Sequence, residues 1–372
     1  MKLPAVGRSA RSVLLLLAVG CGHTEPFGAQ RFDTDQPFNV TPPIRLTLNR
    51  GPDRRAAWLP DGSAILYSTQ RSDTRDKDVC LAVLPPTGGR QRSLTCDLSS
   101  TGEQLTEAIE SAAPAPDGRL AFAAASSGIG AVLPQTQGLV LGTLAHPAVY
   151  QVLLSLPNTG ASGRLIGGIS QLRWLGENRL LYLAELVTAR RPCRDCELDT
   201  LRSGLEANWL ALDTPGGSPQ LVPETDFASG ISPGASEDEV YYTLAGDARV
   251  YRRELSTGEV VVAHDFGAAG IARDVHVVGS RIAAVVGGRV AFTTDSSLGP
   301  VQWDSGGILH VVDLLNGSEA VPSGPGLFRR PQLSPDGNQV VAEIYPLIIT
   351  PNGIGADTTV ARPGDLYLLG LQ

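Results

Sequence analysis

The stretch Ala57–Tyr67 reads AWLPDGSAILY and consists of a short apolar segment, a Pro-Asp-Gly turn and a second apolar segment. Two other stretches match it closely: Ala115–Phe122 reads APDGRLAF and Leu333–Val341 reads LSPDGNQVV. In such a turn Pro presets the backbone, Asp bonds its own backbone, and Gly supplies a positive φ. Each stretch therefore predicts a tight β-hairpin.

Weaker copies of this unit lie between the strong ones. Leu172–Tyr182 places Trp174 where the first unit has Trp58, and Ser236–Tyr242 and Val277–Ala283 are more degenerate. The six units recur at roughly 40 to 60 residues, a period expected of propeller blades. Each is followed by a second pair of short apolar segments around a Gly-rich turn, and two hairpins make a four-stranded blade.

The two ends of the repeat region complement each other. The last unit ends at Asp365–Leu369, which supplies only a third strand, and Ile44–Leu48 supplies a candidate fourth. The sequence therefore predicts an all-β fold, a six-bladed β-propeller of four-stranded blades closed by an N-terminal strand. The weak fourth and fifth units leave seven blades open. The propeller is assigned to 44–372, with blades at 49–97, 105–156, 165–222, 228–264, 270–321 and 326–372 plus 44–48.

The Pro-Asp-Gly hairpins, the Leu-Thr strand at Leu46 and Thr47, and the period resemble TolB-like β-propeller repeats. The resemblance extends over about Ile44–Gln372 and implies the propeller fold. It implies little about function, because propellers of this kind have many unrelated roles.

Residues 1–20 have the features of a secretory signal peptide. The basic residues Lys2, Arg8 and Arg11 precede an apolar run, Val13–Val19. That run is too short to span a bilayer, which needs about 20 apolar residues. We therefore predict that residues 1–20 direct export and are removed.

The stretch Leu17–Cys21 reads LAVGC and resembles the bacterial lipobox, although Ala18 stands where that motif usually has Leu. The resemblance implies that Cys21 is acylated and becomes the mature N-terminus. Gly22 stands where an inner-membrane retention signal usually has Asp, which favours the outer membrane. The polar residues 21–43 are the predicted tether, and the propeller would lie in the periplasm or at the cell surface. The alternative is ordinary signal cleavage nearby, with Cys21 incidental.

The chain has five cysteines, and an exported protein is able to form disulfides. Cys80 and Cys96 would face each other in a hairpin around a Pro-Pro-Thr-Gly-Gly turn, so we predict a bridge between them. Cys193 and Cys196 form a Cys-x-x-Cys pair that we interpret as a loop disulfide. A metal site would need further ligands that the sequence does not supply nearby, and a redox pair normally begins a helix in another fold.

The long connections between second and third strands are predicted to share one face with the blade-to-blade connections. They lie at about Thr69–Asp78, Ala125–Gln137, Glu185–Glu206, Gly287–Gly307 and Tyr345–Gly364. Loop length concentrated on one face is typical of a binding surface. Neutral insertion into tolerant surface loops is the alternative. The candidate binding residues in these loops are Arg71, Asp73, Arg75, Asp76, Arg190, Arg191 and Arg194.

The zinc-binding motif His-Glu-x-x-His of metal-dependent hydrolases is absent from the sequence. Propeller enzymes, including quinone-dependent sugar dehydrogenases, build their sites from dispersed residues at the central channel. Here several central strands are apolar and poor in charge, with Arg173 and Asp274 as the exceptions.

The sequence thus favours a monomeric, non-catalytic binding or scaffold module for an envelope protein or peptide, without cofactor or metal. The net charge of −8 and the absence of clustered basic residues argue against nucleic acid, and the membrane is contacted only through the lipid anchor. Two alternatives stay open. One is a propeller enzyme acting on a sugar or other small molecule, and the other is a purely structural envelope protein.

Overall fold

A computed structural model of the chain describes residues 41–48, 52–70, 79–95, 107–126, 133–190, 199–213, 217–287, 290–295, 299–304, 306–324, 326–352, 355–360 and 364–371. The predicted signal peptide, Cys21 and most of the predicted tether lie outside these residues. In the ranges that are described, no helix is long and apolar enough to cross a membrane.

The described chain begins with a short strand and then forms three antiparallel blades. The short strand is β1 (Ile44–Arg45). Blade 1 consists of β2 (Asp53–Trp58), β3 (Ile65–Gln70), β4 (Val79–Leu84) and β5 (Arg92–Ser93). Blade 2 consists of β6 (Glu107–Pro114), β7 (Arg119–Ser126), β8 (Thr136–Thr143) and β9 (Gln151–Ser155). Blade 3 consists of β10 (Asn158–Thr159), β11 (Leu165–Leu175), β12 (Arg179–Arg190), β13 (Asp199–Ala211) and β14 (Gln220–Leu221).

Three further blades complete the ring. Blade 4 consists of β15 (Ala228–Pro233), β16 (Glu239–Leu244), β17 (Arg249–Glu254) and β18 (Val260–Asp265), followed by one 3-10 turn at Gly267–Ala269. Blade 5 consists of β19 (Ala272–Val278), β20 (Arg281–Val286), β23 (Ile308–Asp313) and β24 (Ser318–Ala320), with an inserted hairpin of β21 (Val290–Asp295) and β22 (Gly299–Asp304). Blade 6 consists of β25 (Gly326–Leu333), β26 (Gln339–Asn352), β27 (Gly355–Val360) and β28 (Asp365–Gly370).

The N-terminal strand closes the ring, as predicted. β1 pairs antiparallel with β28, with Ile44 opposite Leu368. The pairing continues past β1, because Leu46 N donates to Leu366 O at 2.8 Å and Leu366 N donates to Thr47 Oγ1 at 3.0 Å. Since the first and last strands share one blade, the circle cannot open without breaking these bonds.

Replacing Thr47 by Val is expected to lower the free energy of unfolding by about 1–3 kcal/mol, the usual effect of leaving a buried donor without its partner. Thr47 is 4% exposed, and Val keeps its shape while removing the acceptor for Leu366 N. Urea denaturation measures the change. Thr87, which is exposed in the turn after β4, is the matched control for Thr→Val. Equal stability of the Thr47→Val variant and the wild type would contradict this account of the closure.

The hydrophobic core consists of separate clusters, each between two neighbouring blades. The cluster between blades 6 and 1 includes Trp58 and Val341, and the one between blades 4 and 5 includes Tyr241 and Val277. Together the clusters pass around the whole ring. The weakly repeated units are complete blades, and the alternative of seven blades is wrong.

The Pro-Asp-Gly turns have the predicted geometry. Ser63 N donates to Asp61 Oδ1 at 3.0 Å, and Gly62 has φ +71°. The equivalent bonds in the other two turns are Arg119 N to Asp117 Oδ1 at 3.0 Å and Asn338 N to Asp336 Oδ1 at 3.1 Å. These bonds stabilise the carboxylate form, and the pKa of each of the three Asp side chains is lowered.

The two repeat tryptophans join neighbouring blades. Trp58 Nε1 donates to Gln332 O of blade 6 at 3.1 Å, and Trp174 Nε1 donates to Ala113 O of blade 2 at 2.9 Å. Each indole thus bonds the inner strand of the preceding blade. The sequence match between these two residues therefore corresponds to one recurring contact.

Three of the predicted long loops are mostly paired β-structure. β12 and β13 pair as far as Arg190 and Asp199, β21 pairs with β22, and the end of β26 pairs with β27. Pairing satisfies backbone N–H and C=O groups that an irregular loop would leave to water. These hairpins extend the strand 2–3 connections of blades 3, 5 and 6, and so they project from one face of the propeller.

Candidate functional site

The first strand of every blade contacts the first strands of the blades on both sides, so these strands form the innermost ring. They are β2, β6, β11, β15, β19 and β25. Each has a break in register with the second strand of its blade, characteristic of a β-bulge. Bulges redirect side chains and are over-represented next to functional sites.

Three of the bulges hold a non-glycine residue at positive φ. The φ angles are +56° at Arg55, +51° at Asp274 and +45° at Arg330. Such a conformation costs of order 1–3 kcal/mol and persists only where the surroundings enforce it. In blade 4 the bulge holds Gly230, where an added Cβ would lie 2.7 Å from Asp274 N. The inner strands of blades 4 and 5 therefore approach each other closely at this point.

The bulges surround a pocket in the central channel, which we call the channel pocket. Its lining comes from five of the six inner strands and is largely polar: Arg55, Ala56, Ser111, Ser170, Gln171, Arg173, Asp274, Val275, Arg330 and Gln332. The free volume is only about 10 Å³, roughly the space of one water molecule.

Hydrogen bonds join the inner strands of different blades around the channel, and two of them join blades that are not neighbours. Arg55 Nη1 donates to Ser170 O at 3.1 Å, from blade 1 to blade 3. Gln171 Nε2 donates to Asp274 Oδ1 at 3.3 Å, and Gln171 Oε1 accepts from Ile231 N at 3.1 Å. The pocket is thus narrow because its polar groups bond one another.

Behind the pocket, Glu343 on β26 is fully buried. Its carboxylate accepts from Arg330 Nη1 at 2.9 and 3.1 Å, from Arg55 N at 2.7 Å, and from Tyr345 OH at 3.3 Å. Burial acts to raise the pKa of Glu343, but Arg330, Arg329, the Arg55 N–H and Arg54 together outweigh it and lower the pKa. Glu343 is therefore a buried anion that holds two strained strands in place.

Arg173 also lines the pocket, but its hydrogen bonding is incomplete. Its Nη1 donates to Leu172 O at 2.8 Å, but its buried Nε has no hydrogen-bond partner. Burial lowers its pKa to about 10, although Asp274 acts in the opposite direction. Close to Arg173, burial and this positive charge lower the pKa of His276 to about 3. His276 Nδ1 accepts from Leu333 N at 3.0 Å, so the ring is neutral with its proton on Nε2.

The inner strands contain more charged residues than the two exceptions named from sequence. Among the described side chains of the inner strands and of Glu343, arginines outnumber carboxylates. The arginines are Arg54, Arg55, Arg173, Arg273, Arg329 and Arg330, and the carboxylates are Asp53, Asp274 and Glu343. The two exceptions named from sequence, Arg173 and Asp274, do line the pocket. Sequence reasoning did not identify the other charged residues, because a bulge interrupts the alternation of side chains expected of a regular strand.

The residues proposed from sequence for the binding loops are almost entirely outside the described ranges. This applies to Arg71, Asp73, Arg75, Asp76, Arg191 and Arg194, and of Arg190 only the backbone is described, opposite Asp199. Cys96, Cys193 and Cys196 also lie outside. Cys80 is buried in β4 and is disulfide-bonded, but its pairing with Cys96 stays a prediction. Among the described residues, no group of three or more His, Cys, Asp or Glu side chains is arranged to hold a metal ion.

No family model and no curated protein matches the chain. Solved structures do match it. A gluconolactonase from Xanthomonas campestris is 12% identical with a TM-score of 0.54, covering 92% of this chain and 99% of that one. A luciferin-regenerating enzyme is 11% identical with a TM-score of 0.52, covering 90% and 95%. TolB from Acinetobacter baumannii is 15% identical with a TM-score of 0.42, covering 87% and 64%. At these identities the first two matches show the propeller fold alone.

Proposed function

We propose that this chain is a lipoprotein of the bacterial cell envelope, anchored through Cys21, whose propeller is a non-catalytic module that binds an envelope protein or peptide. The strongest support is that the channel pocket is narrow and that its polar groups are already hydrogen-bonded. Its polar groups bond one another across the ring and leave about 10 Å³ free. A substrate would have to break these bonds to enter, so the face with the long connections is the better place for a partner.

The architecture of that face supports binding as well. The hairpins β12–β13, β21–β22 and β26–β27 all extend from strand 2–3 connections. The described part of the first hairpin ends at Arg190 and Asp199, and the predicted binding residues Arg191 and Arg194 fall between these two positions in the sequence. Recognition residues carried at the ends of a rigid scaffold are typical of binding proteins.

The alternative is an enzyme acting on a sugar or other small molecule, such as a quinone-dependent dehydrogenase. The observation in its favour is the convergence of charged side chains on the channel pocket. Against it, the one carboxylate among the described lining residues, Asp274, already accepts bonds from Gln171 Nε2 and from Arg330 N. A general base needs a free position within hydrogen-bond reach of its substrate.

The anchor is tested by expressing the full-length chain in a bacterial host and measuring the intact mass of the membrane-extracted protein. We expect a diacyl or triacyl mass increment that is lost, together with membrane association, in the Cys21→Ser variant. An unmodified protein that stays soluble after export would refute the lipoprotein assignment.

The binding role is tested with a photo-crosslinking residue at position 191, compared with one at position 87 in the turn between β4 and β5, on the opposite face. We expect one envelope protein to be captured at 191 and not at 87, and to bind the purified chain. Turnover of sugars with a quinone acceptor, abolished by Asp274→Asn, would instead establish the enzyme and contradict the proposal.

A further inference from the structure

We propose that the outer edge of blade 4 is a second binding site, which takes an extended peptide of alternating basic and apolar residues as an additional strand. This inference goes beyond the proposed function, because it assigns a partner chemistry to the side of the propeller. It depends neither on the membrane anchor nor on the face with the long connections.

The first argument is the unpaired edge of β18. This strand has six residues and is the longest fourth strand among the described blades, and within the described part of the chain it pairs only with β17. Exposed edges are usually protected by Lys, by Pro or by short strand length, because their free backbone groups recruit other chains. β18 reads VVVAHD and has none of these three. A register shift between Val262 and His264 leaves Glu259–Val262 as the regular part of the edge.

The second argument is the direction of the backbone groups along this regular part. Glu254 N donates to Glu259 O at 3.0 Å, so Glu259 is bonded toward β17. Such pairs alternate along an antiparallel ladder, so Val261 also bonds toward β17, whereas Val260 and Val262 direct their N–H and C=O groups outward. A bound peptide would pair with these two residues, as in other cases of recognition by strand addition.

The third argument is a row of like charges beside the edge. Glu239 lies opposite Glu254 in the sheet, and Glu254 is paired with Glu259 on its other side. Like charges in directly opposite positions are destabilising. Arg252 Nη1 lies 3.3 Å from Glu239 Oε1, and the ion pairs of the described residues include none to Glu254 or Glu259. A basic side chain of a bound strand would offset this repulsion.

The fourth argument is the space next to these carboxylates. Together with Ser236, Arg252 and Val261 they line a pocket with a free volume of about 160 Å³. An ammonium group is close in size to a water molecule, whose share of liquid volume is about 30 Å³, so it fits easily. Opposite residues share one face of a sheet. A peptide residue opposite Val261 would therefore lie on the side of this pocket, and the next residue would lie on the side of Val262, which is 48% exposed. Basic and apolar residues must then alternate.

The charge of the edge argues against a second copy of this chain as the occupant. Antiparallel pairing of two β18 strands would place Glu259 of one copy near Asp265 of the other, and both residues are exposed. These like charges would oppose the pairing. A basic peptide has the complementary charge.

The test uses the fluorescein-labelled peptide Lys-Val-Lys-Val-Lys-Val-Lys and the purified full chain in low-salt buffer, since salt screens exposed charges. Fluorescence anisotropy measures binding. We expect this peptide to bind, and Lys-Lys-Lys-Lys-Val-Val-Val, which has the same composition without the alternation, to bind about tenfold more weakly. Methylation of the valine amide nitrogens is expected to abolish binding, because these groups would face β18. Methylation of the lysine amide nitrogens, which would face solvent, is expected to preserve it.

The location is tested with the double variant Glu254→Gln and Glu259→Gln. We expect it to bind the alternating peptide about fivefold more weakly, the effect of losing one or two exposed ion pairs. The matched control is Glu177→Gln with Glu237→Gln, which removes two exposed carboxylates from the turns between the first and second strands of blades 3 and 4. It is expected to bind like the wild type.

Three results would overturn the proposal. Absence of binding by the alternating peptide would mean that the edge of blade 4 takes no added strand. Equal binding of the two methylated peptides would show attraction without strand pairing. Equal binding by the Glu254→Gln, Glu259→Gln variant and its control would place the bound peptide elsewhere on the chain.

Discussion

Replacing Glu343 by Gln is expected to lower the free energy of unfolding by about 3–5 kcal/mol, the range seen when one partner of a buried ion pair is removed. The Glu343 carboxylate is fully buried and accepts two hydrogen bonds from Arg330, whose side chain is 18% exposed. Gln keeps the size and shape but leaves the Arg330 guanidinium without its counter-charge. It also weakens the bond from Arg55 N that holds the bulge of β2.

Urea denaturation at neutral pH measures this change. The control is Glu177→Gln, which makes the same chemical change at an exposed position in the turn between β11 and β12. We expect it to alter the free energy of unfolding by less than about 0.5 kcal/mol. If the Glu343→Gln variant is as stable as the control, Glu343 does not support the inner ring as described.

Acidification from pH 6.5 to 3 is expected to destabilise the protein through His276. The pKa of this side chain is lowered from 6.5 to about 3, by burial first and then by Arg173. Above pH 6.5 His276 is neutral in both the folded and the unfolded chain and has no effect. Below pH 6.5 only the unfolded chain takes up the proton. The free energy of unfolding should therefore fall by up to about 1.4 kcal/mol per pH unit over this window.

Asp365 acts in the opposite sense: burial raises its pKa to about 6, so its protonation stabilises the folded chain as pH falls below 6. A comparison with His276→Gln isolates the effect of His276, because Asp365 and the remaining groups titrate equally in both proteins. The measurement is the free energy of unfolding of the wild type minus that of the variant, as a function of pH. We expect this difference to decrease as pH falls from 6.5. A difference independent of pH would show that His276 is accessible to protons in the folded state.

The repeat was predictable from sequence because its signal is local. A Pro-Asp-Gly turn needs one backbone conformation, and the three copies at Asp61, Asp117 and Asp336 have it. The equivalence of Trp58 and Trp174 was visible for a similar reason, since both indoles make the same bond to the preceding blade. Degenerate units fold into complete blades because the clusters between neighbours, and not the turn motif, stabilise them.

The candidate site was predicted only in part. Arg173 and Asp274 were singled out as charged residues in apolar strands, and both line the channel pocket. Arg55, Arg330 and Glu343 were not, because their meeting depends on bulges and on contacts between residues 288 positions apart, as between Arg55 N and Glu343. A sequence pattern within one repeat cannot reveal a contact between residues so far apart in the chain.

The sequence by itself determined the propeller fold, the turns between its strands and the borrowing of an N-terminal strand, because each depends on short segments and their spacing, whereas the structure decided between six and seven blades. Only the tertiary structure decided which side chains face the centre and how they bond. The reason is that six strands distant in sequence converge there, and the bulges in them interrupt the alternation from which the facing of a side chain is inferred.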